Sequence, residues 1–339
     1  MTSPRNLTNR RVILKSRPVG VPQAAHFALS EAPVADLADG EFLVANRFLS
    51  VEPAMRGWVN DVANYSPPVP VGDVMRAFAA GEIVASRHPE WREGELVTGM
   101  FGWQRFAIST GANVTRRVGE RDLPLSASLG VMGTNGVTAY FCLLEIGQPK
   151  AGDTVVVSTA AGSVGSCVGQ IAKIKGCRTV GIAGGADKVA QCKRDFGYDE
   201  AIDYRSADLD AALSAACPEG IDVYFDNTSG TISDAVLRQL AIGARVAICG
   251  TAALQSWAPW PEGPRVERHL LVKRARMQGF LLFDYPARYG EALAELAGWL
   301  RQGRLAYSEH VLEGLDAAPD AVAMLYRSEN TGKLLIRVD

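Results

Sequence analysis

The sequence predicts an α/β fold in which a mostly β domain precedes a doubly wound parallel sheet. Short apolar runs with frequent prolines and glycines occupy residues 1 to about 125 and indicate strands joined by turns. From Ala127 onward, β-branched runs alternate with amphipathic segments, the pattern of a parallel sheet covered by helices. The chain has 339 residues, 47% of them hydrophobic, and this length suggests two cores.

The first domain is predicted to span residues 1–126. Its clearest strands are 11–14, 41–49, 81–86, 96–99 and 104–109. Residues 66–72, SPPVPVG, are too rich in proline for regular structure and predict an extended loop. Such loops often line functional sites.

The second domain is predicted to span residues 127–302. A helical pattern at 127–146 comes first, and residues 303–339 are expected to return to the first domain, with a helix at 319–327 and a strand at 333–338. Within the second domain, the predicted strands are 154–159, 179–183, 201–204, 222–226, 244–249 and 275–283. The predicted helices are one that contains Val168 and Ile174, followed by 186–196, 207–216, 232–240 and 289–301.

The most informative segment is the first strand, turn and helix of the second domain. Residues 160–165, AAGSVG, follow the strand and open the helix, so they match the pattern A-x-G-x-x-G. Gly162 allows the backbone to approach a phosphate, and Gly165 allows the helix to pack closely on the strand. The segment predicts a pyrophosphate site at a helix N-terminus. The alternative is an ordinary glycine turn that binds nothing.

Composition argues against several other classes of protein. The formal net charge is −2 without a basic cluster, which argues against nucleic acid as a partner. No apolar segment is long enough to span a membrane, and the N-terminus lacks the apolar region of a signal peptide, so we expect a cytoplasmic protein. The six cysteines form no C-x-x-C pair, and the four histidines are isolated, so no metal site is predicted.

Several stretches resemble one family of enzymes. The sequence is similar to the medium-chain dehydrogenase/reductase superfamily in five stretches. They are the turn segment, YFDNTSG at 224–230, VAICG at 246–250, MQGFLLFDY at 277–285 and ENTGKLLI at 329–336. The likeness is to its zinc-independent branch of leukotriene B4 12-hydroxydehydrogenase/prostaglandin reductases and double-bond reductases. NRFLSVEPAMRGW at 46–58 and residues 64–86 are most similar to the bacterial curcumin-reductase type. The resemblance covers nearly the whole chain and implies a GroES-like catalytic domain and a Rossmann domain.

The resemblance implies NADPH-dependent reduction of the C=C bond of α,β-unsaturated ketones and aldehydes, with hydride transfer to the β-carbon and no metal. Zinc-dependent members carry an early cysteine ligand, whereas no cysteine precedes Cys142 here. An enone suits a metal-free enzyme because hydrogen-bond donors can stabilise the charge that develops on the enolate oxygen. Two alternatives stay open: an NADPH-dependent quinone reductase, and a cofactor-binding protein with little turnover.

The cofactor is expected to be NADP(H). The second strand ends in Ile182-Ala183-Gly184-Gly185 and offers no carboxylate for a free ribose, although Asp187 is a competing acidic residue. Lys188 matches the lysine with which the family binds the 2′-phosphate. The resemblance assigns cofactor contacts to Ala161, Gly162, Ser163, Val164, Gly165, Gly184, Lys188, Tyr204, Asn227, Cys249, Gly250, Phe280 and Asn330.

Tyr65 is the predicted catalytic residue. It lies in the proline-stiffened loop that borders the substrate in similar reductases, where its hydroxyl is able to stabilise an enolate and deliver a proton. One alternative is that Tyr65 only packs its loop against the first domain. Another is that a cofactor ribose hydroxyl or water is the acid and Tyr65 only positions the substrate. Thr134-Asn135 replaces the Met-Pro of many relatives, and the loop containing Gln255 lacks their tyrosine. These departures leave the substrate and the proton donor open.

The resemblance also predicts a homodimer. The apolar strand expected at 275–283 lies near the end of the doubly wound sheet. An unpaired apolar edge promotes association with another chain, so we expect this edge to pair between two copies.

Overall fold

The protein is described by a computed structural model, which covers residues 7–62, 64–254, 259 and 261–339. The chain forms two compact units. One contains the residues up to Leu129 together with Glu309–Asp339, and the other is Gly130–Ser308.

The described residues form strands and helices in the following order along the chain. The strands are β1 Thr8–Leu14, β2 Phe27–Pro33, β3 Phe42–Ser50, β4 Ala79–Ser86, β5 Leu96–Gly99, β6 Phe106–Ser109, β7 Val114–Arg117, β8 Thr154–Ser158, β9 Arg178–Ala183, β10 Glu200–Asp203, β11 Ile221–Asp226, β12 Leu240–Ile248, β13 Arg276–Gly279, β14 Glu309–Glu313 and β15 Lys333–Arg337. The helices are α1 Met55–Trp58, α2 Thr134–Phe141, α3 Ser163–Ile174, α4 Ala186–Phe196, α5 Leu209–Ala216, α6 Gly230–Leu237, α7 Glu267–Lys273, α8 Tyr289–Arg301 and α9 Ala318–Tyr326. None of these helices has the length and apolar character needed to cross a membrane.

The first unit is built on a sheet with the strand order β14-β15-β3-β4-β5-β7, in which β6 also pairs with β3. Strands β1 and β2 form a separate antiparallel hairpin. Apolar side chains of these strands and of α9 share one core, in which Trp103 is fully buried and donates its indole N–H to the carbonyl of Ser50 (3.1 Å). The C-terminal strand β15 therefore completes a sheet that begins with N-terminal strands.

A buried ion pair joins β15 to the end of β3. Lys333 Nζ lies 2.6 Å from Glu52 Oε1 and donates to Ser50 Oγ (2.6 Å) and to the Val51 carbonyl (3.2 Å). Its side chain is 4% exposed and that of Glu52 is 11% exposed. Burial lowers the pKa of Lys333, and the carboxylates of Glu52 and Glu309 oppose that shift. The first residue of β15 is thus held by charge as well as by the sheet.

The second unit contains a parallel sheet with the strand order β10-β9-β8-β11-β12-β13. The chain first builds outward from β8 to β10 and then returns to the other side of β8 with β11. Helices connect successive strands, as the alternating sequence pattern predicts. The strand order reverses between β8 and β11, and in such sheets ligands bind beyond the carboxyl ends of the strands at this point.

Three predicted elements are corrected. The strand expected at 275–283 ends at Gly279, and a 3-10 turn follows at Leu282–Asp284. Phe280, just before this turn, and Leu282, its first residue, are each 8% exposed. The helix expected at 232–240 runs from Gly230 to Leu237 because Leu240 already pairs with Ile221 in the sheet. The helical pattern at 127–146 resolves into α2 and a π-helix over Cys142–Gly147.

The Lys333–Glu52 pair generates a stability prediction. We expect Lys333→Met to lower the free energy of unfolding by about 3–5 kcal/mol, because it leaves the buried Glu52 carboxylate without its cation. Denaturant unfolding followed by circular dichroism measures this change. The control is Arg47→Met at the Arg47–Glu82 pair, where the two side chains are 44% and 33% exposed and the expected loss is at most about 1 kcal/mol. Similar small losses for both variants would contradict the prediction.

Candidate functional site

The turn after β8 presents a helix N-terminus at the point where the strand order reverses. Thr159 adopts a left-handed backbone conformation with φ 53°, which is uncommon for a β-branched residue. Gly162 is the N-cap of α3, and no side chain caps the helix. The first N–H groups of a helix have no partner within it, and they carry its positive dipole end. This arrangement is suited to a phosphate group.

The two glycines of the turn are required by close backbone contacts. A Cβ at Gly165 would overlap the carbonyl oxygen of Thr159, and a Cβ at Gly162 would lie 2.8 Å from Thr159 Cγ2. Of the neighbouring predicted residues, Ala161 is buried, whereas Ser163 and Val164 are half-buried at the start of α3. The turn therefore packs its own backbone against the start of α3, which only glycine permits at these two positions.

A second cluster lies beyond the ends of β9 and β10 and contains Gly184, Lys188, Tyr204 and Arg205. A Cβ at Gly184 would lie 2.9 Å from both Arg205 Nε and Tyr204 Cε1. Tyr204 is 38% exposed, and the guanidinium carbon of Arg205 lies 5.8 Å from the centre of its ring. Burial lowers the pKa of Lys188, and the positive charge of Arg205 lowers it further. Two cations that repel each other favour an anion between them.

The ends of β11 and β12 bring the next predicted residues together. The backbone N–H of Asn227 donates to Ser158 Oγ (2.8 Å), and its side-chain amide donates to the Ser158 carbonyl (2.6 Å). Cys249 and Gly250 both donate backbone N–H groups to the carbonyl of Asp226 (2.8 and 3.1 Å). Phe280 follows β13 and donates its N–H to the Ile248 carbonyl (3.0 Å). These residues line the carboxyl edge of the sheet.

Tyr65 and Asn330 belong to the other compact unit. Tyr65 is 47% exposed, and its backbone N–H donates to Asn64 Oδ1 (2.7 Å). Burial raises the pKa of Tyr326, the nearby Arg56 lowers this pKa, and Tyr65 raises it. The guanidinium carbon of Arg56 lies 4.7 Å from the centre of the Tyr326 ring. The phenols of Tyr65 and Tyr326 are therefore electrostatic neighbours. The side-chain amide of Asn330 donates a hydrogen bond to the Gly332 carbonyl (2.8 Å).

The two departures from the family pattern have different outcomes. Thr134 is the first residue of α2, and Asn135 is buried in its first turn. Gln255 lies outside the described residues. The structure therefore places only the first departure.

Sequence reasoning missed three polar residues of these clusters. Arg205 follows the predicted Tyr204, and its position next to Lys188 depends on how β9 and β10 pair. Ser158 and Asp226 are buried at the ends of neighbouring strands, and their side-chain oxygens lie 3.5 Å apart. A polar residue at the end of an apolar strand was the available signal for both.

These features together define a protein of the dinucleotide-binding α/β class with a separate β unit. Among the residues that the structure describes, no group of three or more His, Cys, Asp or Glu side chains is arranged to hold a metal ion.

Comparison with known proteins identifies the family. Residues 10–116 match a model described as the N-terminal domain of oxidoreductase, and residues 163–298 match one described as zinc-binding dehydrogenase. The NADPH-dependent curcumin reductase of Escherichia coli is 41% identical, with 97% of both chains covered. The NADP(+)-dependent 2-alkenal reductase of Nicotiana tabacum is 36% identical, with 98% of both covered. The crystal structure of CurA from Vibrio vulnificus in complex with NADPH has a TM-score of 0.92 at 44% identity, covering 97% of this chain and 99% of that one.

The chain belongs to the medium-chain dehydrogenase/reductase family, in the zinc-independent branch that contains curcumin, 2-alkenal and prostaglandin reductases. The predicted family and fold class are therefore confirmed.

Proposed function

We propose that this protein is an NADP-dependent ene-reductase, which reduces the C=C bond of α,β-unsaturated ketones and aldehydes. The observation that carries the proposal is the pairing of a glycine turn at a helix N-terminus with the two cations Lys188 and Arg205 at the next strand ends. The turn suits a pyrophosphate, and the cations suit the additional phosphate that distinguishes NADPH from NADH. The family relatives named above support both the cofactor and the reaction.

The cofactor residues are proposed in three groups. Residues 161–165 hold the pyrophosphate, and Gly184, Lys188 and Tyr204 hold the ribose end that carries the 2′-phosphate. The rest of the cofactor is contacted by Asn227, Cys249, Gly250, Phe280 and Asn330. When bound, NADPH supplies the hydride that is added to the substrate. The protein's own contribution is to orient the cofactor and to receive the charge that develops on the substrate oxygen.

Tyr65 is proposed to provide the hydrogen bond for that charge. Its side chain is half exposed on a loop stiffened by Pro67 and Pro68, and it carries a neutral hydroxyl donor. The neighbouring Tyr326 donates its own hydroxyl to the Pro53 carbonyl (3.0 Å), which anchors the ring beside Tyr65. A phenol hydroxyl on this loop would be able to stabilise an enolate and to pass a proton to the α-carbon.

Consumption of NADPH in the presence of enones, quinones and simple aldehydes tests the reaction. We expect enones and enals to be reduced at the C=C bond, which product analysis by mass spectrometry and NMR establishes. Reduction of quinones alone would favour the quinone reductase alternative. NADPH binding without turnover on any substrate would favour a binding protein.

Tyr65→Phe tests the proposed donor. Loss of one such hydrogen bond raises the barrier by about 2.7–4 kcal/mol, so kcat should fall about a hundredfold or more, while the Kd for NADPH stays the same. The control is Tyr289→Phe in α8, which removes a phenol from the other unit. Enone reduction by Tyr65→Phe at nearly the parent rate would exclude Tyr65 from the chemistry.

Lys188→Ala tests the cofactor preference. We expect a higher KM for NADPH and an almost unchanged KM for NADH, because only NADPH has a 2′-phosphate with which Lys188 can pair. Steady-state kinetics with both cofactors measures the split. Lys193→Ala is the control, since it lies on the same helix and pairs with Glu200 (3.1 Å). An equal effect on both cofactors would contradict the assignment.

A homodimer is also proposed, with pairing at the β13 edge of the sheet. β13 bonds to β12 on one side and ends the strand order, and the adjacent Leu281 and Phe283 are 39% and 51% exposed. β13 itself is polar, with the sequence RMQG, so the apolar contribution comes from the residues that follow it. An unpaired sheet edge next to exposed apolar side chains favours pairing with a second strand. Light scattering at micromolar concentration should give twice the mass of one chain. The mass of a single chain would contradict the proposal.

A cytoplasmic location is proposed as well. Its support is that all six cysteines are free thiols and five of them are buried, which is the usual state in a reducing compartment.

A further inference from the structure

Asp203 is the last residue of β10 and lies beside Ala183 of β9 in the parallel register. One oxygen of its side chain, Oδ1, accepts two backbone hydrogen bonds. The N–H of Gly185 donates to it from 2.9 Å and the N–H of Arg205 donates from 3.0 Å. A single carboxylate thus connects the segment after β9 with the segment after β10.

The two connected segments carry the two cations of the site. Gly185 has a φ of 96° and is the N-cap of α4, whose first turn contains Lys188. Arg205 follows Tyr204, whose backbone N–H donates to the Ala183 carbonyl (3.2 Å). Lys188 and Arg205 repel each other, so their segments need to be held together before an anion arrives. The Tyr204–Ala183 bond joins the segments at the strand ends, and the bonds to Asp203 Oδ1 extend this connection to Gly185 and Arg205.

We propose that Asp203 is a positioning residue that sets the spacing of Lys188 and Arg205 around the 2′-phosphate and thereby favours NADPH over NADH. This inference rests on the proposed use of NADPH. It assigns the preference to a carboxylate, although a negative charge close to a phosphate would ordinarily oppose binding.

The electrostatic alternative makes the opposite prediction. The backbone N–H groups of Gly185 and Arg205 lower the pKa of Asp203, so its side chain is a carboxylate at neutral pH. If repulsion of the phosphate were its main effect, removing the charge would tighten binding. If positioning is its main effect, removing the two hydrogen bonds weakens binding even though the charge is gone.

Isothermal titration calorimetry with two probes separates these outcomes. Adenosine 2′,5′-bisphosphate and 5′-AMP differ only in the 2′-phosphate, and both are measured on the full chain. Asp203→Ala removes both backbone hydrogen bonds. We expect it to weaken binding of the bisphosphate on the order of tenfold and to change binding of 5′-AMP little. Asp203→Asn should bind nearly as the parent does, because its amide oxygen still accepts both N–H groups.

The matched control is Asp208→Ala. Asp208 caps α5 by accepting the N–H of Ala211 (3.2 Å), so this variant also loses one carboxylate and one backbone bond, five residues away. It should leave both affinities unchanged.

Three results would overturn the inference: tighter bisphosphate binding by either Asp203 variant, equal weakening of both probes, or no change in Asp203→Ala. A parent protein that binds both probes equally would instead overturn the proposed NADPH preference. Thermal unfolding checks that each variant is folded. If Asp203→Ala is unfolded, Asp203→Asn decides: parent-like affinity supports positioning, and tighter affinity overturns it.

Discussion

The cofactor edge of the sheet depends on the buried carboxylate of Asp226. This side chain is 3% exposed at the end of β11. Its Oδ1 accepts the backbone N–H groups of Thr228 and Ser229 (2.9 and 2.8 Å), and its Oδ2 accepts the Ser233 hydroxyl (2.6 Å). A buried charge is tolerated only when hydrogen bonds replace its water. These bonds fix the loop after β11 and the start of α6.

Side chain and backbone of the same residue also connect the neighbouring strand ends. Ser158 at the end of β8 lies 3.5 Å from it and binds both donor groups of Asn227. The Asp226 carbonyl accepts the N–H groups of Cys249 and Gly250 after β12. Three strand ends are therefore held in one arrangement around the reversal of strand order. This rigidity lets backbone groups, rather than long side chains, form most of the proposed cofactor site.

The proposed cofactor site has two parts, one formed by backbone groups and one formed by charged side chains. The turn after β8 needs small residues because the backbone comes close, so its chemistry is that of N–H groups and a helix dipole. The region beyond β9 and β10 instead uses Lys188, Arg205 and Tyr204. The first part suits any dinucleotide, whereas the second part is the one proposed to distinguish NADPH from NADH. The proposed role of Asp203 lies in this second part.

Local sequence signals predicted much of the fold. Helices α4 and α8 begin and end at the predicted residues, because apolar periodicity and, for α4, a following Gly197 mark their limits. The strand predicted at 275–283 was wrong because an apolar run does not distinguish a strand from a turn that buries Phe280 and Leu282. The short helices α1 and α7 and strands β2 and β7 had no comparable signal.

The sequence by itself determined the family, the α/β class and the glycine turn, since each depends on residues that are neighbours in the chain. Only the tertiary structure brought Ser158 to Asp226 across 68 positions, and Asp203 to Gly185 across 18. These contacts depend on which strands lie side by side. Strand order results from the burial of whole faces of a sheet, so no short stretch of sequence contains it.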